Sequence, residues 1–168
     1  MKTEEYYQHI YRLAFITRYS NLPRIRDESV AEHSFFVAAI ILKLDDIYTF
    51  DLGLSLTAAV SHDIVESDLC DPVHPIGVRH PNLKAAYKEA ELIEIKKYPA
   101  AVQDGWKIYE GIPTFRVEGI IAQYADVLQV KQYAEQELLL GNKWMNRVVV
   151  DIRGRLSKLK EELEPYEY

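Results

Sequence analysis

The 168-residue sequence has few of the residues that cross-link or interrupt a chain. It contains a single cysteine, Cys70, together with seven glycines and seven prolines. One cysteine excludes an internal disulfide and a thiolate metal site, so any metal ligands must be histidines and carboxylates. The scarcity of glycine and proline favours long helices, and the apolar content of 48% excludes a disordered chain.

Two further absences narrow the class of protein. No run approaches the roughly 18 consecutive apolar residues of a membrane span, and the first residues, MKTEEYYQHIYRL, lack the apolar stretch of a secretion signal. We therefore expect a cytoplasmic protein without a membrane partner. The net charge of −6 counts against nucleic acid as a partner, because a phosphate backbone requires a basic surface. A small anionic ligand remains compatible, since a few local cations are enough to bind it.

The apolar pattern predicts an all-α fold, an irregular helical bundle of about seven helices. Because no repeat, low-complexity tract or linker divides the chain, residues 1–168 are expected to form one domain. Ser29 and Glu32 form a capping box that starts the second helix. Prolines between Asp68 and Asn82 predict one long irregular segment. The predicted helices span about 3–18, 29–44, 54–66, 82–97, a short stretch around 106–109, 114–141 and 143–163.

Four ionisable residues lie in apolar surroundings, where an unpaired charge is costly to bury. His62 and Asp63 follow the apolar stretch 56–60, and His33 lies in the first turns of the second helix. Asp126 is the strongest anomaly, because apolar residues surround it in the longest predicted helix. Each has an ordinary interpretation: a salt-bridged histidine, a capping aspartate, a core histidine, or an ion pair between Asp126 and an arginine.

The arrangement H…HD…D that these residues form resembles the signature of the HD-domain metal-dependent phosphohydrolases. The strings ESVAEHS (28–34) and SHDIVESDLCDPVHP (61–75) are similar to the same superfamily. ITRYS and YADVLQVKQYAEQELLLGN resemble the YfbR-type 5′-deoxynucleotidases, and equally the phage DatZ-type dATP triphosphohydrolases. The resemblance covers about residues 6–142, and it implies an HD-domain fold and homo-oligomers.

The resemblance also implies that His33, His62, Asp63 and Asp126 are metal ligands. Two imidazoles and two carboxylates suit a divalent cation, and ligand type alone does not decide among Co²⁺, Mn²⁺, Zn²⁺, Fe²⁺ and Mg²⁺. Such an ion acidifies a bound water and withdraws charge from a phosphoryl group. We therefore expect a divalent metal cofactor.

Two more carboxylates are candidates for the chemistry. Glu66 lies one helical turn after His62, on the same predicted face, which suits a general acid or base. The resemblance implies that Glu66 and Asp71 act next to the metal. Without it, Glu66 would be an exposed helix-end carboxylate and Asp71 an ordinary turn residue.

Basic and aromatic residues near the predicted ligands are candidates for substrate binding. Arg18, Arg24 and Arg26 precede the capping box, and guanidinium is the preferred bidentate partner of phosphate, although most arginines are simply solvated. The resemblance implies that Arg18 contacts substrate. Tyr19 departs from the tryptophan common in the family, and we expect it to stack on a base or crowd a ribose 2′-OH.

The irregular segment and the helix after it supply four further candidates. The resemblance implies that Pro75 borders the base pocket. Arg79, Lys84 and Lys88 follow and would hold a polyphosphate, although Lys84 and Lys88 also fit a solvated helix face.

Together these observations predict an HD-domain phosphohydrolase of small-molecule 2′-deoxynucleotides, with adenine as the base. The short chain and the cations after the loop favour a dATP or dNTP triphosphohydrolase, in which a metal-activated water attacks the α-phosphorus and releases deoxynucleoside and tripolyphosphate. The alternative is a 5′-deoxynucleotidase acting on dNMPs. Hydrolysis of another phosphate ester, such as a cyclic nucleotide or an alarmone, and a catalytically inert helical nucleotide-binding module remain open.

Overall fold

The computed structural model describes residues 1–72 and 80–168, which confirm the predicted all-α architecture. In these residues seven helices have ten residues or more, one helix is a single turn, and no β-strand occurs. The helices are α1 (Thr3–Arg12), α2 (Val30–Leu44), α3 (Leu52–Ser61), the single-turn α4 (Glu66–Leu69), α5 (Pro81–Glu94), α6 (Ala100–Tyr109), α7 (Arg116–Leu139) and α8 (Asn146–Leu163).

The first helix is shorter than predicted, because a long-range backbone contact replaces its last turn. A 3₁₀ turn follows α1, and Ile16 is already extended, with φ −91° and ψ 113°. Thr17 then forms an isolated antiparallel bridge with Ser29, and the Val30 N–H donates to the Ile16 carbonyl at 3.0 Å. The prediction of helix through Arg18 is therefore wrong, and the bridge holds Arg18 beside the start of α2.

The third helix is displaced toward the N-terminus relative to the prediction. Asp51 caps it by accepting a hydrogen bond from the Leu54 N–H at 2.9 Å, and the helix ends at Ser61 instead of Glu66. His62 and Asp63 consequently lie in the turn that joins α3 to α4. A turn frees successive side chains from the helical spacing of about 100°, so that adjacent residues are able to face the same point.

The long helix α7 is the centre of the bundle and packs against α2, α3, α6 and α8. Its small residues Ala122 and Ala125 are fully buried and let neighbouring helices approach closely. They belong to the main apolar core, which also contains Val37, Ile41, Leu44, Tyr48, Ala58, Ala59, Ile108, Ile120, Ile121, Val127, Leu159 and Leu163. A polar side chain in the middle of α7 is therefore surrounded by protein.

Two glycines allow helices to touch through their backbones. A Cβ at Gly105 of α6 would lie 2.6 Å from the Thr57 carbonyl oxygen of α3, and one at Gly119 of α7 would lie 2.4 Å from the Ile108 carbonyl oxygen of α6. Both separations are shorter than any real Cβ contact, so only glycine fits. The close approach brings α6 beside the turn that carries His62 and Asp63.

None of the helices in residues 1–72 and 80–168 combines the length and the hydropathy that crossing a bilayer requires.

Candidate active site

The structure brings the four predicted ligands together from three separate parts of the chain. His33 comes from the first turns of α2, His62 and Asp63 from the turn after α3, and Asp126 from the middle of α7. The His33 Nε2 lies 3.1 Å from His62 Nε2, 3.4 Å from an Asp126 oxygen and 3.6 Å from an Asp63 oxygen. His62 Nε2 and Asp63 Oδ2 are 3.1 Å apart. Two atoms bound to one ion at about 2.1 Å each have separations of this size.

The capping box explains why His33 lies at this point. Ser29 Oγ accepts a hydrogen bond from the Glu32 N–H at 3.2 Å, and Glu32 accepts one from the Ser29 N–H at 2.8 Å. This reciprocal pair begins α2 at Val30, as the sequence predicts. The imidazole of His33 is thereby fixed in the first turn, where it points into the bundle and is fully buried.

The hydrogen bonds of the two imidazoles show that each ring carries a proton on Nδ1. His62 Nδ1 lies 2.7 Å from the Ala59 carbonyl oxygen, which only accepts, so Nδ1 carries the proton. His33 Nδ1 likewise donates to the side-chain oxygen of Gln129 at 2.6 Å. On the opposite side of the rings, His33 Nε2 faces the carboxylates of Asp63 and Asp126, and His62 Nε2 faces Asp63. Acceptors that converge in this way fit a divalent cation.

The electrostatics of the cluster favour a cation as well. Burial and the Arg18 charge lower the pKa of His33. Burial also lowers the pKa of His62, but the negative charges of Asp63 and Asp126 outweigh it and the net pKa is raised. Burial raises the pKa of Asp63, yet His62 and His33 bring it down to about 2. Burial also raises the pKa of Asp126, but His33 and His62 outweigh it and hold the pKa well below its usual range. Both carboxylates are consequently ionised at neutral pH.

Asp126 is held mainly by Tyr109, which the sequence analysis missed. The Tyr109 hydroxyl donates to Asp126 Oδ2 at 2.6 Å, and its ring lies 4.8 Å from that of His62. Burial and the Asp126 charge raise the pKa of Tyr109, so the hydroxyl remains a donor. The ion pair with an arginine that was the alternative exists only as a long contact, 3.9 Å from Arg155. The other Asp126 oxygen faces His33.

Glu66 begins α4 and is only 6% exposed, so its interpretation as an exposed helix-end carboxylate is wrong. Its Oε2 is buried and has no hydrogen-bond partner among the residues that the structure describes. Burial raises the pKa of Glu66 well above its usual value, and the charges of Asp63 and Asp71 raise it further. These effects favour the protonated form of Glu66 close to the predicted ligands.

Asp71 is more than a turn residue, because it holds the backbone of Tyr19. Its carboxylate accepts a hydrogen bond from the Tyr19 N–H at 3.2 Å. Tyr19 has φ 55°, in the left-handed region that side chains rarely adopt, and this contact supports the strained conformation. Burial raises the pKa of Asp71.

Arg18 and Tyr19 lie beside the cluster, but the Tyr19 ring already contacts other side chains and is not free to stack on a base. The Tyr19 ring stacks on Tyr133 with centroids 5.1 Å apart and planes 2° apart, and the Arg18 guanidinium lies 5.5 Å from its centroid. Stacking of a base on Tyr19 would therefore displace one of these partners. Arg18 Nη1 and the Tyr19 hydroxyl are both buried without a partner in residues 1–72 and 80–168. These polar atoms are the groups available to a substrate.

The other predicted substrate residues contribute less to this geometry. Pro75 and Arg79 lie outside the described residues. Lys84 is exposed in the first turn of α5, and Lys88, one turn later, forms ion pairs with Glu91 and Glu110 at 3.0 and 2.5 Å. Lys88 also lies 4.2 Å from the centre of the Trp106 ring. Lys88 is therefore paired with carboxylates at a partly exposed position, which is compatible with the solvated helix face that was the alternative for Lys84 and Lys88.

Arg24 and Arg26, the other two arginines before the capping box, form contacts close to their own segment. Arg24 donates to the Tyr19 carbonyl at 2.9 Å and to Asp27 at 2.7 Å, and Arg26 pairs with Glu32 at 3.0 Å.

Two buried polar residues behind His33 were also missed. Gln129 is 4% exposed and Glu28 is 1% exposed. The Gln129 side chain accepts from His33 and donates to Glu28 Oε1 at 2.5 Å. Gln129 lies one turn after Asp126, between Leu128 and Val130, but Gln123 and Gln132 lie nearby in the same helix, and no local signal distinguishes Gln129 from them.

The bundle has close counterparts among solved structures. The PH0347 protein of Pyrococcus horikoshii OT3 superposes with a TM-score of 0.78 at 25% identity, over 95% of each chain. An HD-domain phosphohydrolase from Listeria innocua has a TM-score of 0.71 at 18% identity and covers 96% of this chain and 82% of its own. These likenesses show that the chain shares its fold with an HD-domain protein.

The family itself follows from the sequence comparison. The model of the family described as 5′-deoxynucleotidase YfbR-like matches residues 5–166, and the chain belongs to this family. A 5′-deoxynucleotidase of Photorhabdus laumondii is 27% identical over 163 residues, which are 90% of this chain and 83% of the relative. A 5′-deoxynucleotidase of Photorhabdus temperata is 29% identical over 164 residues, 91% of this chain and 81% of its own. The resemblance found in the sequence is confirmed, and the chain is a hydrolase.

Proposed function

We propose that this enzyme is a 5′-deoxynucleotidase, which hydrolyses 2′-deoxynucleoside monophosphates to deoxynucleoside and phosphate. The observation that carries the proposal is the convergence of two imidazole Nε2 atoms and two ionised carboxylates beside Arg18, whose Nη1 has no hydrogen-bond partner in residues 1–72 and 80–168. The names of both curated relatives support the monophosphate as substrate. The expected triphosphate loses support, because Lys88 is engaged with Glu91 and Glu110.

We assign the predicted residues to roles that their contacts allow. His33, His62, Asp63 and Asp126 would hold a divalent ion, which when bound lowers the pKa of water and polarises a phosphoryl oxygen. Arg18 binds the phosphate through the nitrogen that lacks a partner.

The two remaining carboxyl groups have different tasks in this proposal. Glu66 donates its proton to the departing 5′-oxygen, because burial keeps the carboxyl group protonated. Asp71 fixes Tyr19, whose buried hydroxyl meets the nucleoside. Asp71 is thus a positioning residue, whereas Glu66 takes part in the chemistry.

Product analysis tests the substrate class. The purified protein is incubated with dAMP, AMP and dATP in Co²⁺, Mn²⁺, Mg²⁺ or Zn²⁺, and phosphorus NMR identifies the products. We expect orthophosphate from dAMP. Tripolyphosphate from dATP would instead establish a triphosphohydrolase, and nucleotide binding without turnover in every metal would establish an inert binding module. Asp126→Asn is the matched control, since it removes one ligand and should abolish turnover.

We also propose that residues 1–168 act as a single cytoplasmic domain that forms homo-oligomers and binds small nucleotides, not nucleic acid. The packing of α7 against helices from both halves of the chain supports one domain. Trp144 and Val150 are exposed on either side of buried Val149, which supports association. Light scattering of the purified protein would give its mass, and a monomer at all concentrations would contradict association.

A further inference from the structure

The amide of Gln129 connects a predicted metal ligand to a buried carboxylate. Its oxygen accepts a hydrogen bond from His33 Nδ1 at 2.6 Å, and its nitrogen donates one to Glu28 Oε1 at 2.5 Å. All three side chains are buried, and they come from α7, from α2 and from the segment that precedes α2. The contact is therefore tertiary and is independent of the helix that carries the histidine.

The order of these three hydrogen-bonded side chains fixes the orientation of the Gln129 amide. Glu28 Oε1 accepts the hydrogen bond of the Gln129 nitrogen, which holds that nitrogen toward Glu28 and leaves the Gln129 oxygen toward His33. An oxygen at that position only accepts, which requires the proton of His33 to reside on Nδ1. The Nε2 lone pair is then directed at His62 and the two aspartates.

We propose that Glu28 and Gln129 are positioning residues that hold His33 in the tautomer able to bind a divalent metal ion. The inference rests on the proposed metal-dependent function and adds residues that are not themselves ligands. Groups behind a metal-bound histidine fix its ring and tautomer, and their loss commonly lowers metal affinity 10- to 100-fold.

Titration with Co²⁺ alone, followed by its visible absorption, tests the inference without substrate. Gln129→Leu keeps the side-chain size but removes the acceptor, and we expect it to bind Co²⁺ 10- to 100-fold more weakly than the wild type. Gln132→Leu is the matched control, because Gln132 is exposed one turn later on the same helix. Unchanged affinity and spectrum in Gln129→Leu would overturn the inference.

An exchange of the two side chains distinguishes positioning from simple packing. Gln129→Glu alone places two carboxylates against each other and should bind Co²⁺ at least tenfold more weakly than the wild type. Adding Glu28→Gln restores one amide and one carboxylate in reverse order, with an acceptor still facing His33 Nδ1. We expect the double variant to recover most of the lost affinity. A double variant no better than Gln129→Glu would contradict the proposal, even if Gln129→Leu does not fold.

The outcomes separate this inference from the proposed function. If the wild-type chain binds Co²⁺ but hydrolyses no deoxynucleotide, the function is wrong and the affinities still decide the role of Gln129. If the wild type hydrolyses dAMP and Gln129→Leu binds Co²⁺ normally, the function stands and the positioning role is wrong. A wild-type chain that binds no divalent ion would overturn both.

Discussion

At the scale of single residues, burial gives Glu66 a protonation state that its position in the sequence does not reveal. The carboxyl group begins a single-turn helix, yet it lies inside the bundle beside Asp63 and Asp71. Ionising it would add a third negative charge to a desolvated site, so the proton is retained. A protonated carboxyl group is able to protonate a leaving oxygen. Glu66 therefore has a different role from the predicted metal ligands.

We predict that Glu66→Gln lowers kcat by a factor on the order of 10² to 10⁴ and leaves metal content unchanged. The amide keeps the shape of the carboxyl group but has no acidic proton to donate. Elemental analysis measures the metal, and steady-state kinetics with dAMP measure turnover. Asp68→Asn is the control on the same short helix, because Asp68 contacts Arg12 and His9. Loss of metal together with activity would show that Glu66 is a ligand.

At the scale of helices, the contact between α3 and α6 depends on a residue without a side chain. Gly105 lies so close to Thr57 and Ser61 that any Cβ would overlap with them. The contact positions Tyr109, the last residue of α6, beside His62 and Asp126. Packing of two helices and geometry of the site are therefore linked through one glycine.

Gly105→Ala should lower the free energy of unfolding by about 1–3 kcal/mol, because the new methyl group must force the two helices apart. Gly154→Ala is a matched control with the opposite sign. Gly154 lies inside α8 with open space around its Cα, and alanine there should stabilise the protein by about 0.5–1 kcal/mol. Urea denaturation measures both changes. Equal effects of the two substitutions would contradict the close approach.

A second link between elements is the buried carboxylate of Glu137, near the end of α7. It accepts hydrogen bonds from the N–H groups of Ile25 and Arg26, each at 2.8 Å, and from the Asn142 side chain at 2.7 Å. Burial raises the pKa of Glu137, but these donors outweigh it and hold the pKa below its usual value of 4.5. The carboxylate therefore binds the backbone of the loop between Arg18 and Glu28 to the end of α7.

We predict that Glu137→Gln destabilises the protein by about 2–4 kcal/mol at pH 7, since an amide cannot accept from all three donors. Because the folded pKa is lower than the unfolded one, this stabilisation is present above pH 4.5 and is lost as pH falls through the folded pKa. The difference between variant and wild type should therefore shrink below pH 4.5.

Urea denaturation at pH 7 and pH 4 tests this pH dependence. Glu135→Gln is the control, because Glu135 forms only a partly exposed pair with Lys131 and should change stability by less than about 0.5 kcal/mol. A difference between Glu137→Gln and the wild type that is equally large at both pH values would contradict the role of the charge.

At the scale of the whole molecule, the sequence predicted what local patterns determine and missed what distant contacts determine. The capping box of Ser29 and Glu32 placed His33 correctly, because a helix start is encoded within four residues. The end of α1 was wrong, because it depends on a bridge between Thr17 and Ser29. Glu28 and Gln129 were missed for the same reason, since they are 101 positions apart and meet only in the folded chain.

The predicted ligands also couple the stability of the whole bundle to a metal ion. Without a bound ion, Asp63 and Asp126 each face the His33 imidazole in a buried site, and Asp63 also faces His62. Because these groups come from α2, from the turn after α3 and from α7, they separate when the chain unfolds. An ion that binds them therefore stabilises the folded state only, by RT ln(1 + [L]/Kd), or about 2.7 kcal/mol at 100 times Kd.

We accordingly predict that saturating Mn²⁺ or Co²⁺ raises Tm by about 5–10 °C relative to EDTA, using about 2–4 °C per kcal/mol for a chain of this length. Circular dichroism follows the helices, and the fluorescence of buried Trp106 follows the packing of α6. Asp126→Asn should lose most of the metal-dependent increase, and its Tm in EDTA should be lower than that of the wild type, because the amide weakens the hydrogen bond from Tyr109 and the ion pair with His33. An equal increase in the variant would mean that the ion stabilises the protein at another site.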